Sequence, residues 1–254
     1  MFSPKTDKIS MIADDCQDLI NNLDSLLSGK VHVYIDYANV RPWSDKLKWH
    51  IDLKRLKQFL DSFSGIEKIK FYQGLLVGDH KSASENQFIS RCGYILRTKP
   101  VKIMRFSIDT KGISSMSDRS LVKQFIRRAL LRKFNDEVIE YLNLRLADFN
   151  RLGENYIEDR KCNFDVEIGI DMLLDYEREN VDTFVLWSGD SDFHDPIKKL
   201  LHNKKKVILF ATARKVSSEL NRLRSEGLVI FDIQKIKDFI CWNRELDDKY
   251  KVNL

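Results

Sequence analysis

The chain has 254 residues, of which 43% are apolar and 32% are charged, and its formal net charge is +5. These proportions are those of a folded globular protein and exclude collagen-like, low-complexity and disordered classes. No apolar run reaches the roughly 20 residues that a membrane-spanning helix needs, and the first residues lack the pattern of a secretory signal. We therefore expect a cytoplasmic protein that does not enter a membrane.

The predicted elements begin with an amphipathic helix over residues 6–28, whose apolar side chains recur at helical spacing up to Gly29. A β-branched and aromatic run predicts a buried strand over 31–37, and a helix capped by Asp52 follows it. The same criteria predict further strands over 69–77, within 94–106, and over 182–189, 206–211 and 228–233. Between several of these strands the apolar spacing is that of helices, one of which begins near Asn163.

A long stretch without Gly or Pro, from about Asp118 to Phe149, predicts a helix that is broken near Asn135. The surrounding segment, 114–160, exceeds the length that a simple crossover needs, and we interpret it as a helical insertion. Strands that alternate with helices predict right-handed βαβ units. The expected fold is therefore α/β, with a parallel sheet and helices on both of its faces.

This pattern divides the chain into three expected parts. They are an N-terminal helical segment over 1–29, an α/β domain over 30–242 that contains the insertion, and a polar C-terminal tail over 243–254. The N-terminal helix either packs on its own domain or mediates a dimer. The sequence therefore leaves a homo-oligomer open.

Acidic side chains follow the ends of two predicted strands. Asp36 closes the first strand, and Asn39 follows three residues later. Asp190 and Asp192 come directly after the strand FVLWSG. In a doubly wound sheet, ligands bind beyond the carboxyl ends of the strands, at the point where strand order reverses. If these two strands are neighbours, their three carboxylates converge there, and Asp165, at the start of a helix, is a natural fourth member.

Carboxylates crowded into one cleft repel each other, and some become protonated unless a cation neutralises them. The four Cys and five His are dispersed without metal-ligand spacing, so the expected ligands are oxygens, which favour Mg²⁺ or Mn²⁺ over Zn²⁺. One or two such ions can activate a water and stabilise an in-line phosphoryl displacement. Ser188 and Asn39 would orient the carboxylates or the water through hydrogen bonds.

Each of these Asp residues also has a purely structural interpretation, because an Asp after a strand is most often a turn or N-cap residue. Asp192 would then cap a helix at 193–203, and Asp165 would cap the helix that follows it. Two acidic strand ends at one sheet edge, one of them a D-x-D, favour metal chemistry over this alternative.

Positive charge is concentrated in residues 91–133, which contain twelve Lys and Arg but only two Asp. Five of these cations recur at i,i+4 spacing and form two rows on the predicted helix. One row contains Arg119, Lys123 and Arg127, and the other contains Arg128 and Arg132. A cationic stripe of this kind predicts binding to a nucleic-acid phosphate backbone. Trp43 and Trp49 are candidates for stacking on unpaired bases, with core packing as the alternative.

Three segments resemble the NYN domain of the PIN-like nuclease superfamily: IDYAN (35–39), FDVEIGIDMLLD (164–175) and VLWSGDSDFHDPIKKLLHNKKKVILFA (185–211). The SGDSDF run is the most specific part. Lys161 and Asp165 match the K-x-x-x-D spacing of the family, and Asp171 matches its further Asp. The resemblance covers roughly residues 30 to 240 outside the insertion.

This resemblance implies a PIN-like three-layer fold with a central, mostly parallel sheet, and a metal-dependent ribonuclease that hydrolyses phosphodiester bonds of single-stranded or structured RNA. It implies that Asp36, Asp165, Asp190 and Asp192 are catalytic and hold Mg²⁺ or Mn²⁺. Asp171 is then either a supporting residue beside this site or a salt-bridge residue. The alternative is a non-catalytic RNA-binding or regulatory module that keeps the PIN-like fold.

Overall fold

The computed structural model describes residues 1–111, 115–212 and 215–251. The chain forms two compact units. The first comprises Met1–Pro100 and Cys162–Leu254, and the second comprises Val101–Lys161.

The described residues form eight strands. They are β1 (Val31–Asp36), β2 (Ile66–Leu75), β3 (Ile95–Pro100), β4 (Lys102–Ser107), β5 (Tyr156–Lys161), β6 (Thr183–Trp187), β7 (Lys206–Ala211) and β8 (Val229–Asp232). Six of them make one parallel sheet with the order β3-β2-β1-β6-β7-β8. From β1 the chain proceeds outward to β3 on one side, and from β6 it proceeds to β8 on the other. The strand order therefore reverses between β1 and β6, where the sequence predicted a ligand site.

Twelve α-helices are found in the described part of the chain. They are α1 (Asp7–Asp15), α2 (Gln17–Leu26), α3 (Tyr37–Val40), α4 (Ser44–Leu47), α5 (Leu53–Leu60), α6 (His80–Arg91), α7 (Arg128–Leu131), α8 (Asp136–Arg151), α9 (Asp165–Glu179), α10 (His194–His202), α11 (Ser218–Arg222) and α12 (Lys237–Ile240). In the first unit they flank the parallel sheet, which confirms the expected α/β class. Within the regions that the structure describes, none of the helices combines the length and apolar character needed to cross a membrane.

Local sequence accounts for the elements around the central strands. Every residue of β1 is buried, as its unbroken apolar and aromatic run requires for a strand covered on both faces. The side chain of Asp52 accepts hydrogen bonds from the backbone N–H groups of Lys54 and Arg55, so α5 begins where the capping residue predicts.

The N-terminal helix is split into two at Cys16, and both halves lie against the core of the first unit. Ile9 and Ile12 on α1 and Leu23 on α2 are buried there. At the other end, Leu246 and Tyr250 are also buried in this core, so the described part of 243–254 is not the polar tail that was expected. Leu246 follows one short 3₁₀ turn and Tyr250 ends another, and the three charged residues between them conceal this packing in the sequence.

The insertion was predicted to be helical, and this prediction is wrong in part, because the second unit also contains two strands. Its strands β4 and β5 pair antiparallel from Lys102 beside Lys161 to Ser107 beside Tyr156. Both strands are largely exposed and rich in charge, so they lack the apolar alternation by which a half-buried strand is recognised. The expected start of the insertion, residue 114, lies outside the described residues.

The predicted long helix from Asp118 to Phe149 is found only in its second half. The Asn135 side chain accepts a hydrogen bond from the N–H of Val138 and caps α8, which confirms the break. Before Asn135 the chain forms a short 3₁₀ turn and the four-residue α7. The buried side-chain amide of Asn143 donates to the carbonyls of Met116 and Asp118 at 2.6 Å, and such tertiary bonds override the local helix propensity.

Candidate active site

Asp36 lies at the carboxyl end of β1, where the chain leaves the sheet, and its side chain is almost fully buried. One carboxylate oxygen accepts the backbone N–H of Asn39 at 3.3 Å, and the other accepts the hydroxyl of Ser188 at 3.1 Å. Ser188 directly follows β6, and β6 pairs with β1 in parallel. The two acidic strand ends are therefore neighbours, and Ser188 and Asn39 both contact Asp36.

Asp190 and Asp192 occupy the turn after β6. The N–H of Asp190 donates to the Ser188 hydroxyl at 3.3 Å, and the N–H of Asp192 donates to the Asp190 carboxylate at 3.3 Å. Asp190 thus caps the 3₁₀ turn Ser191–Phe193, which precedes α10. These bonds fix the D-x-D turn at the edge of the sheet beside Asp36.

Asp165 is the first residue of α9, and the side-chain amide of Asn163 donates to its carboxylate. Asp165 and Asp192 line one groove of about 360 Å³ between α9 and α10, together with apolar side chains that include Ile170 and Pro196. The structure therefore brings Asp165 to the same place as the two strand ends, although it is distant from them in sequence.

The crowding of these carboxyl groups changes their acidity. Burial, with the added repulsion of Asp190, raises the pKa of Asp36 to about 6 despite the opposing hydrogen bonds from Ser188 and Asn39. Burial and the charges of Asp36, Asp190 and Asp192 raise the pKa of Asp165 to about 7. Such a cluster is stabilised by any cation that neutralises it.

Four carboxylates with a neighbouring hydroxyl are the oxygen donors that a hard divalent cation prefers, so the chemistry of the residues fits Mg²⁺ or Mn²⁺. Their geometry is not that of a finished ligand set. Across residues 1–111, 115–212 and 215–251, no group of three or more His, Cys, Asp or Glu side chains is arranged to hold a metal ion.

The helix-capping interpretation of Asp165 and Asp192 finds no support in the structure, because neither α9 nor α10 begins with a side-chain cap. Asp36 and Asp190 do cap the short helical turns that follow them. A capping role and a ligand role are compatible for these two, since each carboxylate oxygen has two lone pairs and accepts more than one partner.

Asp171 lies one and a half turns along α9 from Asp165, and it contacts the sheet instead of the other carboxylates. It accepts the Tyr72 hydroxyl at 2.7 Å and lies 3.6 Å from Nε of Arg97. Of the two interpretations that the sequence left open for Asp171, these contacts favour the salt-bridge residue.

Sequence reasoning missed a buried polar cluster beneath α9, made of His32, Tyr34, Lys70 and Asp175. The Asp175 carboxylate accepts bonds from the other three, and these contacts hold the pKa of Asp175 well below its usual range although burial opposes this shift. A signal was present, because His32, Tyr34 and Asp36 alternate along β1 and so share one face of the sheet.

Two tryptophans and a histidine near the carboxylates have structural contacts of their own. Trp43 and Trp49 are both buried in the core, which confirms the core-packing alternative, and neither indole ring is exposed for stacking on bases. His194 begins α10 and pairs with the exposed Asp195 through Nδ1 at 2.8 Å, as a residue at the start of a helix would.

The family model for the NYN domain matches residues 116–228. This match spans 113 of the 254 residues, and that part of the chain is similar to NYN domains. NYN domains are generally nucleases of PIN-like fold, they bind RNA in general, and they typically use divalent metals. The matched region contains Asp165, Asp171, Asp190 and Asp192, whereas Asp36 lies outside it and joins the others through the pairing of β1 with β6.

Two relatives extend over most of the chain. The "Low amplitude and bright protein LabA" of Synechococcus elongatus is 23% identical over 213 residues, which are 83% of this chain and 87% of that protein. A crystal structure of a protein of unknown function from Vibrio parahaemolyticus superposes with a TM-score of 0.50 at 17% identity, covering 84% of this chain and 96% of that chain. At 17% identity, the similarity to the Vibrio protein shows a similar fold alone.

The five predicted cationic residues are not arranged as one helical stripe. Arg119 is engaged within the second unit, because its guanidinium donates to the carbonyls of Leu131 and Phe134 and to the carboxylate of Asp136. Arg119 therefore holds turns together and is not a free phosphate-binding group. The other four predicted cations are exposed, and they are Lys123, Arg127, Arg128 and Arg132.

Asp36→Asn is expected to stabilise the metal-free protein at pH 8 by about 1 to 3 kcal/mol. Because the folded-state pKa of Asp36 is raised, the native state binds more protons than the unfolded state between about pH 4 and pH 6. Wild-type stability therefore falls as the pH rises through this window, and the neutral Asn escapes that loss. Urea unfolding in EDTA at pH 4.5 and pH 8 measures the difference, and an equal difference at both pH values would contradict the prediction.

Proposed function

We propose that this chain is a metal-dependent ribonuclease that hydrolyses RNA phosphodiester bonds. The observation that carries the proposal is the meeting of Asp36, Asp165, Asp190 and Asp192 at the point where the strand order reverses in an NYN domain. Carboxylates that raise each other's pKa at a ligand-binding edge are typical of functional sites, because a stable fold alone does not require them to be together.

The chain's own residues suit this chemistry. Ser188 and the backbone of Asn39 hold the Asp36 carboxylate, and Asp190 is held by the turn that it caps. When bound to these carboxylates, Mg²⁺ or Mn²⁺ would activate a water and neutralise charge on the reacting phosphate. Asp165 enters from α9 and lines the same groove as Asp192 of the D-x-D turn. It would lose its proton when a cation binds, because the cation removes the repulsion that raises its pKa.

A cleavage assay tests the proposal. Labelled single-stranded and hairpin RNA are incubated with the full chain in Mg²⁺, in Mn²⁺ and in EDTA, and the products are resolved by length. Products that require metal support the ribonuclease. RNA that is bound and left intact in all three conditions favours the non-catalytic RNA-binding or regulatory module, to which the absence of a finished ligand set in the described residues also points.

The four exposed cations of the second unit, Lys123, Arg127, Arg128 and Arg132, are proposed to bind RNA phosphates. Changing all four to Gln is expected to weaken RNA binding and to reduce the slope of log Kd against log salt by about 2 to 4, since each phosphate contact contributes about 0.7 to 0.9. Fluorescence anisotropy between 50 and 300 mM salt measures this slope.

The matched control neutralises four exposed cations of the first unit, Lys46, Lys54, Arg224 and Lys235. This control variant carries the same net charge as the test variant, so it separates local phosphate contacts from the general effect of charge. Equal losses in both variants would show that no dedicated phosphate track exists in the second unit.

A further inference from the structure

Asp175 is a carboxylate in the core of the first unit, on the side of α9 that faces the sheet. It accepts hydrogen bonds from His32 Nδ1 at 2.8 Å and from the Tyr34 hydroxyl at 2.5 Å, both on β1. From β2, Lys70 Nζ approaches its two oxygens at 2.9 and 2.8 Å. One side chain of α9 is thus joined to two neighbouring strands through three donors.

Further polar contacts of α9 lie on either side of Asp175. Toward the end of the helix, Glu179 pairs with Lys68, and toward its start, Asp171 accepts the Tyr72 hydroxyl. The strand partners occur in register, since His32 lies beside Lys68, Tyr34 beside Lys70 and Asp36 beside Tyr72. The helix therefore lies on the sheet through a ladder of polar contacts that runs toward the carboxyl end of β1, where Asp165 and Asp36 lie.

Hydrogen bonds of this kind determine the position of a helix more strictly than apolar contacts do. Apolar packing is non-directional, so it permits small shifts and rotations, whereas charge-assisted hydrogen bonds require specific distances and angles. A slip of α9 by one residue would move Asp165 by about 1.5 Å and turn it by about 100°. A working ligand set tolerates displacements of only about 0.5 Å.

Stability alone does not explain the cluster. A buried ion pair contributes little net stability compared with apolar side chains of similar volume, because desolvation of the charges offsets their attraction. We propose that Asp175 is a positioning residue, which fixes the register and rotation of α9 on β1 and β2 and thereby holds Asp165 beside Asp36. The proposal deepens the proposed metal-dependent function and rests on it for the role of Asp165.

The test measures Mn²⁺ affinity directly, by electron paramagnetic resonance of the free ion, on the full chain without RNA. Asp175→Asn is expected to weaken Mn²⁺ binding at least about tenfold, the usual effect of losing a residue that orients a metal ligand. A second variant, Asp175→Leu with Lys70→Met, leaves neither the Lys nor the Asp charge buried. Because no charge is left unpaired, it is expected to lose less folding stability than Lys70→Met alone, which leaves the Asp175 charge buried, and still to lose Mn²⁺ affinity.

The control for general destabilisation is Ile240→Ala, a core truncation on α12, which packs on α5. It should lower the free energy of unfolding and leave Mn²⁺ affinity within twofold of wild type. Hydrogen exchange supplies a readout that is independent of metal, and amides of α9 around Ile168 should exchange about tenfold faster in Asp175→Asn relative to those of β6. A tenfold change in exchange corresponds to about 1.4 kcal/mol of local opening.

The outcomes separate this proposal from the proposed function. Mn²⁺ affinity that is unchanged in a folded Asp175 variant overturns the positioning role while leaving a metal site in place. If wild type binds no Mn²⁺, the metal-dependent function fails, and hydrogen exchange alone then decides the positioning role. In that case, α9 amides that exchange no faster in Asp175→Asn than in Ile240→Ala overturn it.

Discussion

Asp190→Asn is expected to reduce metal-dependent RNA cleavage by at least about 10²-fold, because even residues that only orient a metal ligand commonly contribute 10- to 100-fold. The substitution removes one negative charge from the cluster but retains an Oδ1 that can accept the N–H of Asp192. The turn before α10 should therefore stay intact. Single-turnover cleavage of labelled RNA at saturating Mg²⁺ measures the loss.

A control variant, Asp195→Asn, removes the same charge five residues further along the chain. Asp195 is exposed and contacts His194, so cleavage should change by less than about threefold if only the carboxylate cluster acts. Thermal unfolding should show that both variants are folded. Full activity in Asp190→Asn would show that the carboxylate cluster is not needed for cleavage. Equal losses of activity in the two variants would show that the effect comes from long-range charge and not from the cluster.

Gly189→Ala is expected to lower the free energy of unfolding by about 2 kcal/mol or more and to abolish cleavage. A Cβ on Gly189 would lie 1.9 Å from the carbonyl oxygen of Lys215 and 2.9 Å from its carbonyl carbon. Both atoms belong to the backbone, and the nearby Ser217 N–H donates to the Gly189 carbonyl at 3.1 Å. The clash with the added Cβ is therefore relieved only if the backbone itself moves. Because Ser188 and Asp190 flank Gly189, the same movement would displace the site.

Gly169→Ala is the matched control, since Gly169 is buried in α9 and a Cβ there would meet only a Pro196 side-chain carbon, at 3.3 Å. The losses of unfolding free energy and of cleavage should be smaller in this variant than in Gly189→Ala. Ala stabilises a helix by about 1 kcal/mol relative to Gly, and the Pro196 side chain can shift slightly. Urea unfolding and the cleavage assay are applied to both variants. A Gly189→Ala protein as stable and active as Gly169→Ala would show that the close approach of Lys215 has no consequence.

The Gly189 contact illustrates what sequence reasoning could not supply. The run SGDSDF indicated a functional turn, and its Asp residues were selected because they follow a buried strand. The reason for the glycine lies in Lys215, more than twenty residues later and beyond another strand. Only the folded chain brings that carbonyl against Gly189.

The basic segment, residues 91–133, has a charge that the sequence shows and tertiary contacts that it does not show. Its charge was evident from composition, and Asn135 marked the start of a helix through its capping side chain, which is a local property. The engagement of Arg119 with Leu131 and Phe134 depends on a chain reversal that no periodicity indicates. The polar helix α6 was also missed, because only Asn86 and Ile89 are buried along its twelve residues and no apolar stripe results.

By itself, the sequence determined the alternation of strands and helices and the acidic residues at the ends of β1 and β6, because apolar periodicity and turn-forming residues act over a few neighbouring positions. The tertiary structure alone decided which strands are neighbours and that Asp165 reaches Asp36. It also decided that Asp175 joins α9 to two strands. These arrangements depend on contacts between residues more than a hundred positions apart, such as Asp175 with Lys70 and His32, and on the desolvation that folding imposes on them. The local sequence pattern carries no information about these long-range contacts or about the desolvation.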